Sequence, residues 1–365
     1  MSAINEKSDI LVEVKDLKVE FDVRDGIIKA VDGATFNIRV GRTLGVIGES
    51  GCGKSVTARA ILRMVPKPGK VAGGDILYHR HIKSNGSDMV DIVRINDLDP
   101  DGTEIRSIRG GEIGMIFQEP MSSLTPVYTA GSHIYEAVSL HRLTPFRKVG
   151  DQIAETVQAH REVTKEEARG IAVNMLQRVG IPQPEERVDS YPHQLSGGQR
   201  QRVMIAIALS CQPRMLIADE PTTALDVSIE AQILDIMREL QETVDMAIMF
   251  ITHNLGVVAE MAQDMVVMYM GKVVEKASAL EIFYEAKPPY TRALLRSIPH
   301  VGKKSQERLA TITGMVPDPF NLPPGCVFHP RCPEYMPGKC DRIVPSWTQV
   351  EGEDHWTRCL LYEEV

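Results

Sequence analysis

The chain has 365 residues, of which 25% are charged, and its net charge is −8 at pH 7. This length suggests about two domains of roughly 150 residues each, and the acidic balance argues against a general nucleic-acid binder, which needs a basic face. No apolar run approaches the roughly 18 residues of a membrane span, and the polar start lacks the pattern of a signal peptide. We therefore expect a cytoplasmic protein.

The first part of the chain has the pattern of β structure. Residues 11–21 alternate apolar and polar side chains, which predicts a strand. Phe21 in this strand has two interpretations, an aromatic that stacks on an adenine ring or a half-buried strand residue. A turn at Asp25-Gly26 and a strand around residues 35–38 follow.

A glycine-rich stretch then matches the phosphate-binding pattern G-x-x-x-x-G-K-[ST] at every fixed position. Residues 43–47 before it predict a buried strand and residues 55–64 predict a helix, which is the context that the pattern requires. The glycines let successive backbone N–H groups point inward, next to the positive end of the helix. We predict that a nucleoside triphosphate binds to this phosphate loop, which consists of Gly48, Glu49, Ser50, Gly51, Cys52, Gly53, Lys54 and Ser55.

Two side chains of the loop have distinct predicted roles. Lys54 bridges the outer phosphates, and the Ser55 hydroxyl binds Mg²⁺.

Farther along, residues 79–109 are polar with little periodicity, which predicts an irregular surface excursion with a hairpin at most. Helical spacing between about residues 133 and 180 predicts a mostly helical subdomain inserted between strands.

The tract Leu195-Ser-Gly-Gly-Gln199, the signature turn, precedes a predicted helix at residues 200–209. Ser196 is expected to cap this helix, and the backbone amides beside it are suited to a second phosphate contact. If both phosphate-facing surfaces cannot close over one nucleotide, this one must serve a second subunit. The alternative is an ordinary helix N-terminus.

Two more predicted strands end in polar residues. Residues 214–218 predict a buried strand that ends at Asp219 and Glu220, at the strand edge where open α/β sheets bind ligands. Mg²⁺ beside Asp219 would relieve the repulsion of the paired acids, which leaves Glu220 to act on the water that attacks the γ-phosphate. The strand at residues 247–251 leads to His253, a candidate hydrogen-bond partner of the γ-phosphate.

Together these motifs resemble those of the ATP-binding subunit of an ATP-binding cassette (ABC) transporter. GESGCGKS is similar to the Walker A motif of that family, LSGGQ to its signature and MLIADE to its Walker B motif, in the same order. Gln118 resembles the Q-loop glutamine, His253 the switch histidine, and Ala224-Leu225-Asp226 the D-loop. The resemblance implies an α/β fold, the P-loop NTPase ABC cassette, with a RecA-like core, a β subdomain and an inserted helical subdomain.

The C-terminal region resembles a particular subfamily. Residues 288–299 and 322–333, with the tract at 191–199, are similar to oligopeptide and dipeptide importer ATPases. Thr125, where asparagine is expected, and the long excursion at 79–109 depart from the pattern. The implied domains are a nucleotide-binding domain over 1–275, with its helical subdomain at about 119–212, and a small Cys-containing C-terminal extension over 276–365.

The resemblance also implies a mechanism. Two cassettes bind head to tail, with each ATP held between the Walker A motif of one and the LSGGQ of the other. The implied catalytic residues are Glu220, His253 and Gln118. The implied Mg²⁺ ligands are Ser55, Gln118 and Asp219, and Ser196 and Gly198 are expected to act on the partner's nucleotide.

The implied function is an ATPase that energises import of dipeptides and oligopeptides, while nickel, glutathione or oligosaccharides remain open as cargo. A different class is a soluble ABC ATPase of translation or DNA repair, which usually carries two cassettes in one chain. A regulatory module that senses redox state through its cysteines is a third hypothesis, which fits poorly with the complete set Asp219, Glu220 and His253.

The implied partners are transmembrane permease subunits and a second ABC ATPase. The resemblance favours a non-identical second ATPase, and a homodimer stays open. An extracytoplasmic solute-binding protein takes part indirectly, and no nucleic acid is expected. The implied location is peripheral, on the cytoplasmic face of the inner membrane, where the surface near residues 118–126 is expected to receive a helix of the channel subunit.

Four of the six cysteines lie within the last forty residues, in the pattern C-x5-C-x7-C-x18-C. Four thiolates bind either structural zinc or an iron–sulfur cluster, and the spacing decides neither. Four unrelated thiols are the third possibility. Because some of the importer ATPases that the chain resembles carry a [4Fe–4S] cluster here, the resemblance favours a cluster, with zinc as the alternative, at Cys326, Cys332, Cys340 and Cys359.

Overall fold

The structure is a computed structural model that describes residues 9–84, 87–117, 147–222, 225–297, 312–350 and 354–363. Two compact units account for the chain. One contains residues up to 38, 43–96 and those from 251 onward, and the other contains 39–42 and 97–250. Of the residues predicted to be functional, Gln118 and Ala224 lie outside the described residues, as do Thr125 and the expected docking surface at 118–126.

The first unit contains a four-stranded sheet, whose strands are β1 (Ile10–Val23), β2 (Gly26–Arg39), β4 (Gly69–Ser84) and β5 (Ser87–Arg94). Their order is β2-β1-β4-β5, and β4 runs antiparallel to both β1 and β5. Alternate residues of β1, such as Val12, Val14 and Val19, are fully buried, which confirms the strand predicted from residues 11–21.

The stretch at 79–109 is more regular than the sequence predicts. β4 and β5 form the hairpin that the sequence allowed, and helix α2 (Thr103–Ile108) follows, so the prediction of an irregular excursion is wrong. The reason lies in β5, at the edge of the sheet, where Met89, Val90 and Ile92 are 61%, 46% and 56% exposed. Met89 and Val90 are adjacent in sequence, so apolar and polar residues do not alternate along β5 as they do in a strand with one buried face.

The first unit also contains the strand that precedes the phosphate loop. β3 (Thr43–Ile47) is buried at every position and pairs in parallel with β9 (Asp264–Tyr269). A strand that is buried on both faces has a continuous run of apolar residues, which is why β3 could be predicted from the sequence. Helix α1 (Lys54–Ile61) begins within the loop, at Lys54, and ends three residues earlier than the sequence predicts.

The second unit combines parallel strands with most of the helices. β6 (Ile113–Ile116) pairs in parallel with β7 (Met215–Asp219), and β8 (Ala247–Ile251) lies on the other side of β7. The predicted helical character is confirmed from residue 149 onward, and its first part lies outside the described residues. The helices are α3 (Val149–His160), α4 (Lys165–Arg178), α5 (Pro184–Arg187), α6 (Gly197–Leu209) and α7 (Val227–Val244).

The C-terminal extension packs within the first unit. Its β12 (Trp356–Thr357) joins β10 (Lys272–Ser278) and pairs with β11 (Thr348–Gln349). The rings of Tyr269, Tyr290 and Phe328 form a buried cluster with centroid distances of 4.6, 5.3 and 5.2 Å. Aromatic pairs of this kind stabilise a fold by about 0.5–1.5 kcal/mol each beyond their burial. The remaining helices are α8 (Leu255–Met261), α9 (Ala279–Glu285) and α10 (Pro289–Arg296).

In the part of the chain that the structure describes, no helix combines the length and the apolar character needed to cross a membrane.

Candidate nucleotide site

The phosphate loop has a backbone conformation that requires glycine at two positions. The φ angles of Gly48 and Gly53 are +150° and +100°. A Cβ at Gly48 would lie 2.2 Å from the carbonyl oxygen of Met268, and one at Gly53 would lie 2.3 Å from that of Ala30. The loop therefore packs directly on neighbouring backbone, and no larger residue fits at either position.

The loop leads into a helix whose first amides have no side-chain cap. Gly53 occupies the N-cap position of α1 and has no side chain to cap it, and the positive end of a helix dipole favours an anion there. Lys54 is 8% exposed, and its Nζ donates to the carbonyl oxygens of Gly48 and Glu49 at 2.7 and 3.0 Å. The lysine therefore curls back over the loop, where it supplies the positive charge that a triphosphate needs.

Replacing Gly53 by Ala is expected to weaken MgATP binding and to lower the melting temperature, because the new Cβ forces the loop away from Ala30. Gly51→Ala is the matched control, since its φ is also positive (+79°) but no atom lies within 4 Å of the new Cβ. It carries only the backbone strain of about 1–2 kcal/mol. Thermal unfolding and MgATP titration of the two variants measure the difference, and equal losses in both would contradict the packing argument.

Glu49 of the same loop is held by two residues that the sequence did not point to. Its N–H donates to the Tyr290 hydroxyl oxygen at 3.0 Å, and its carboxylate accepts two hydrogen bonds from Arg331. Arg331 lies 282 positions away in the chain, within the C-terminal extension. No local sequence signal reveals such a contact, although both residues fall in the tracts that carry the subfamily resemblance.

The paired acids lie in the second unit at the end of β7. Asp219 is the last residue of that strand and is 1% exposed, whereas Glu220 is partly exposed and has a positive φ of +48°. A non-glycine residue in this region is uncommon and marks a locally strained turn. The turn separates the environments of two adjacent carboxylates, one buried and the other open to solvent.

The signature turn has the predicted cap. Ser196 is the N-cap of α6, accepts from the Gln199 N–H at 3.3 Å and donates its own N–H to the Gln199 side chain at 3.0 Å. Ser196 and Gly197 are exposed, so the turn presents polar groups at the surface. From the same helix, Gln201 is 1% exposed and donates to the carbonyl oxygen of Pro221 at 2.8 Å, which ties α6 to the turn after Glu220.

Two other predicted residues follow strand or loop ends. His253 lies just after β8, is exposed, and belongs to the first unit together with the phosphate loop. Asp226 is the N-cap of α7, where its side chain accepts from the Ile229 N–H at 3.0 Å. Asp226, which resembles the aspartate of the D-loop, therefore stabilises the start of α7 within this chain itself.

The four C-terminal cysteines line one pocket of about 660 Å³, part of it open to solvent, which we call the thiol pocket. All four are free thiols, and the Cys326 N–H donates to the Cys340 carbonyl oxygen at 2.8 Å. Burial raises the pKa of Cys326 and Cys332, and it raises that of Cys359 to about 12. Within the described ranges, no three His, Cys, Asp or Glu residues are grouped so as to hold one metal ion.

The loop between a buried strand and a helix and the acidic end of β7 define the class of P-loop nucleotide-binding proteins. Comparison with known proteins agrees. Residues 31–223 match the family described as ABC transporter, and residues 274–340 match the oligopeptide/dipeptide transporter C-terminal region. The chain belongs to the ABC transporter family, and it is an ATPase of that family.

Similar proteins cover nearly the whole chain. The dipeptide transport ATP-binding protein DppD of Bacillus subtilis (strain 168) is 42% identical over 355 residues, which are 97% of this chain and 95% of that protein. The oligopeptide transport ATP-binding protein AppD of the same organism is 45% identical over 356 residues, 97% of each. DppD of Escherichia coli (strain K12) is 42% identical over 336 residues, 92% of each.

Among solved structures, the chain is similar to the ATP-binding cassette MJ0796, described as a dimer in a post-hydrolysis state bound to ADP and Pi. The two share 25% sequence identity with a TM-score of 0.59, over 74% of this chain and 99% of that one. The predicted α/β fold, a P-loop NTPase of the ABC cassette type, is therefore confirmed.

Proposed function

We propose that this chain is the ATP-hydrolysing subunit that energises import of dipeptides and oligopeptides across the cytoplasmic membrane. The observation that carries the proposal is the match of residues 274–340 to the oligopeptide/dipeptide transporter C-terminal region, in the same chain as the cassette. A soluble ABC ATPase of translation or DNA repair accounts for the cassette but not for this region. Nickel, glutathione or oligosaccharides remain the alternative cargo.

The site residues have the chemistry that MgATP requires. The amides of residues 48–55 and the Lys54 ammonium face the phosphates, while Ser55 and Asp219 are the proposed Mg²⁺ ligands. Mg²⁺ is usually bound by one or two carboxylates together with phosphate oxygens and water, so one buried carboxylate and one hydroxyl form a suitable donor set. Bound Mg²⁺ neutralises charge on the β- and γ-phosphates.

Hydrolysis then rests on two polar side chains. The partly exposed Glu220 carboxylate accepts a proton as water attacks the γ-phosphorus and the bond to the β-phosphate oxygen breaks. His253 donates a hydrogen bond to the γ-phosphate, which stabilises the charge that develops there. Gln118, which lies outside the described residues, is proposed to bind Mg²⁺ and to relay its presence to the helical subdomain.

The proposed cycle couples this chemistry to movement through a second cassette. Ser196 and Gly198 of one subunit contact the γ-phosphate held by the other, so ATP joins the pair and its hydrolysis lets the pair open. The second cassette is a non-identical ATPase in the proposal, and a homodimer is the alternative. In the proposal this chain is peripheral, on the cytoplasmic face of the inner membrane, where it docks on the transmembrane permease subunits. Residues 276–365 form its C-terminal extension, and a solute-binding protein acts on the opposite face of the membrane.

Copurification in mild detergent, followed by ATPase assays, tests the proposed function. Permease subunits and a second ATPase are expected to copurify, and turnover is expected to rise when a solute-binding protein loaded with peptide is added. If nickel, glutathione or an oligosaccharide stimulates ATP turnover instead of peptide, the proposed cargo is wrong, and the proposed role as the ATPase of an importer stands. Partner-independent turnover stimulated by nucleic acid would contradict the proposal.

We also propose that the thiol pocket holds a [4Fe–4S] cluster, with zinc as the alternative. Four thiols line a single pocket, yet the described residues contain no group suited to one metal ion. A zinc site needs all its sulfurs about 2.3 Å from one ion, whereas the cysteines of a cluster bind different irons and stand farther apart. Arg358 lines the same pocket, where its positive charge would offset that of the thiolates.

Protein purified without air is expected to be brown, with about four iron and four sulfide per chain. Cys332→Ser and Cys340→Ser are expected to lose most of this iron, because each removes one ligand. Cys211→Ser is the matched control, since Cys211 is buried in the second unit and is expected to leave the iron content unchanged. Zinc in place of iron would establish the alternative, and metal-free protein would contradict both.

A further inference from the structure

An ion pair joins the C-terminal extension to the phosphate loop. Arg331 Nη1 and Nη2 lie 2.7 and 2.9 Å from the two carboxylate oxygens of Glu49, in a bidentate arrangement. The Arg331 side chain is 4% exposed and that of Glu49 is 22% exposed. Paired, water-shielded hydrogen bonds between charged groups are among the strongest in proteins, so this contact fixes geometry as well as charge.

Arg331 is itself held in one orientation. Its guanidinium lies over the rings of Tyr269 and Phe328, 5.9 and 6.0 Å from their centroids. Nη1 also donates to the Tyr269 hydroxyl oxygen at 3.3 Å, and Nε donates to the Thr313 carbonyl oxygen at 3.3 Å. The planar guanidinium of arginine makes all these contacts at the same time, which the ammonium group of a lysine cannot do.

Glu49 is correspondingly fixed at three points. Arg331 binds its carboxylate, the Tyr290 hydroxyl oxygen accepts from its N–H, and its carbonyl oxygen accepts from Lys54 Nζ at 3.0 Å and from the Cys52 N–H at 3.3 Å. Tyr290 is 1% exposed and donates to the Met268 carbonyl oxygen at 3.4 Å. Two residues from beyond β10 thus set the curvature of the loop at Glu49.

Charge gives the contact a second consequence. A carboxylate within a loop that binds a triphosphate opposes that ligand, because like charges repel strongly where water is excluded. The Glu49 carboxylate, through its hydrogen bonds, raises the pKa of Arg331, so the guanidinium stays protonated throughout the physiological range. Its positive charge cancels the negative charge of Glu49 before the nucleotide arrives.

We propose that Arg331 is a positioning residue of the nucleotide site, supplied by the C-terminal extension, which holds Glu49 in place and neutralises its charge toward ATP. The inference rests on the proposed assignment of residues 48–55 as the ATP phosphate loop. It makes the extension a part of the ATP site rather than an appendage to the cassette.

MgATP titration of the full chain tests this with a double-mutant cycle. Arg331→Met is expected to weaken binding at least tenfold, because it loosens Glu49 and leaves its charge uncompensated. Glu49→Gln is expected to change MgATP affinity less than threefold, because two effects oppose each other. The Arg331 guanidinium, no longer paired, attracts phosphate, whereas residue 49 loses the ion pair that holds it in place. The double variant is expected to bind at least threefold more tightly than Arg331→Met alone, which a merely structural arginine would not produce.

Two controls separate this inference from the assignment of the loop. Lys276→Met removes another ion pair of the same unit, Lys276 Nζ to the more exposed Asp354 at 3.0 Å, and is expected to leave MgATP affinity unchanged. Lys54→Ala reports on the loop itself: unchanged affinity in that variant would remove the assignment on which the inference rests.

If Lys54→Ala loses MgATP binding while the affinity of Arg331→Met stays within threefold of that of the unmodified chain, the inference about Arg331 is overturned and the assignment of the loop stands. A double variant that binds no more tightly than Arg331→Met would also overturn the inference. If Arg331→Met does not fold, Arg331→Lys takes its place, with an expected loss of threefold to tenfold because the charge remains and the fork is gone. Unchanged affinity in that variant would overturn the inference equally.

Discussion

Replacing Glu220 by Gln is expected to lower kcat for ATP hydrolysis by about 10²–10⁴-fold while MgATP still binds. Gln keeps the size and hydrogen-bonding shape of the side chain but cannot accept the proton of the attacking water. The position of Glu220 supports this role, since it follows the buried Asp219 at the end of β7 and is itself partly exposed. Affinity is expected to persist because the phosphates are held by residues 48–55.

Phosphate release and MgATP titration on the same preparation measure the two effects. Glu242→Gln is the matched control, because Glu242 is an exposed glutamate on α7 and its replacement is expected to leave both values unchanged. Turnover by Glu220→Gln at the rate of the unmodified protein would remove Glu220 from the mechanism. Loss of binding with loss of turnover would make it a ligand-holding residue instead.

Replacing Lys54 by Ala is expected to weaken MgATP binding about tenfold to a hundredfold, which corresponds to the roughly 1.5–3 kcal/mol of hydrogen bonds to a charged group. Lys54 is buried and already directed over the loop through Gly48 and Glu49. Its removal deletes the charge that meets the outer phosphates and also the two hydrogen bonds that shape the loop.

The same titration with Lys70→Ala gives the control for Lys54→Ala. Lys70 lies exposed on β4, so its removal changes net charge equally without touching the loop. Equal affinities of Lys54→Ala and the unmodified chain would show that the lysine does not meet the phosphates. An equal loss in Lys70→Ala would attribute the effect to net charge.

Much of the fold and the site was predictable because the signals are local. The apolar run of β3 next to the glycine pattern, and the run of β7 before two acids, need only a few residues to be recognised. The cap at Ser196 has the same character, since serine and Gln199 lie three residues apart. Patterns of this length report directly on burial, turn geometry and capping.

What the sequence could not predict depends on distant contacts or on tertiary context. The pairing of Arg331 with Glu49 spans 282 residues, and the positive φ of Glu220 follows from how the chain must turn after β7. The regularity of β5 was not predicted beyond the possibility of a hairpin, because an edge strand with exposed apolar side chains does not alternate. The four cysteines were visible as a pattern, but only the fold places them around one pocket.

A structure of this protein with Mg²⁺ and a non-hydrolysable ATP analogue tests the proposed nucleotide site most directly. The triphosphate is expected against the amides of residues 48–55, with Mg²⁺ bound by the Ser55 hydroxyl and Asp219. Nucleotide bound elsewhere on the chain, or phosphates turned away from Lys54, would contradict the proposed site.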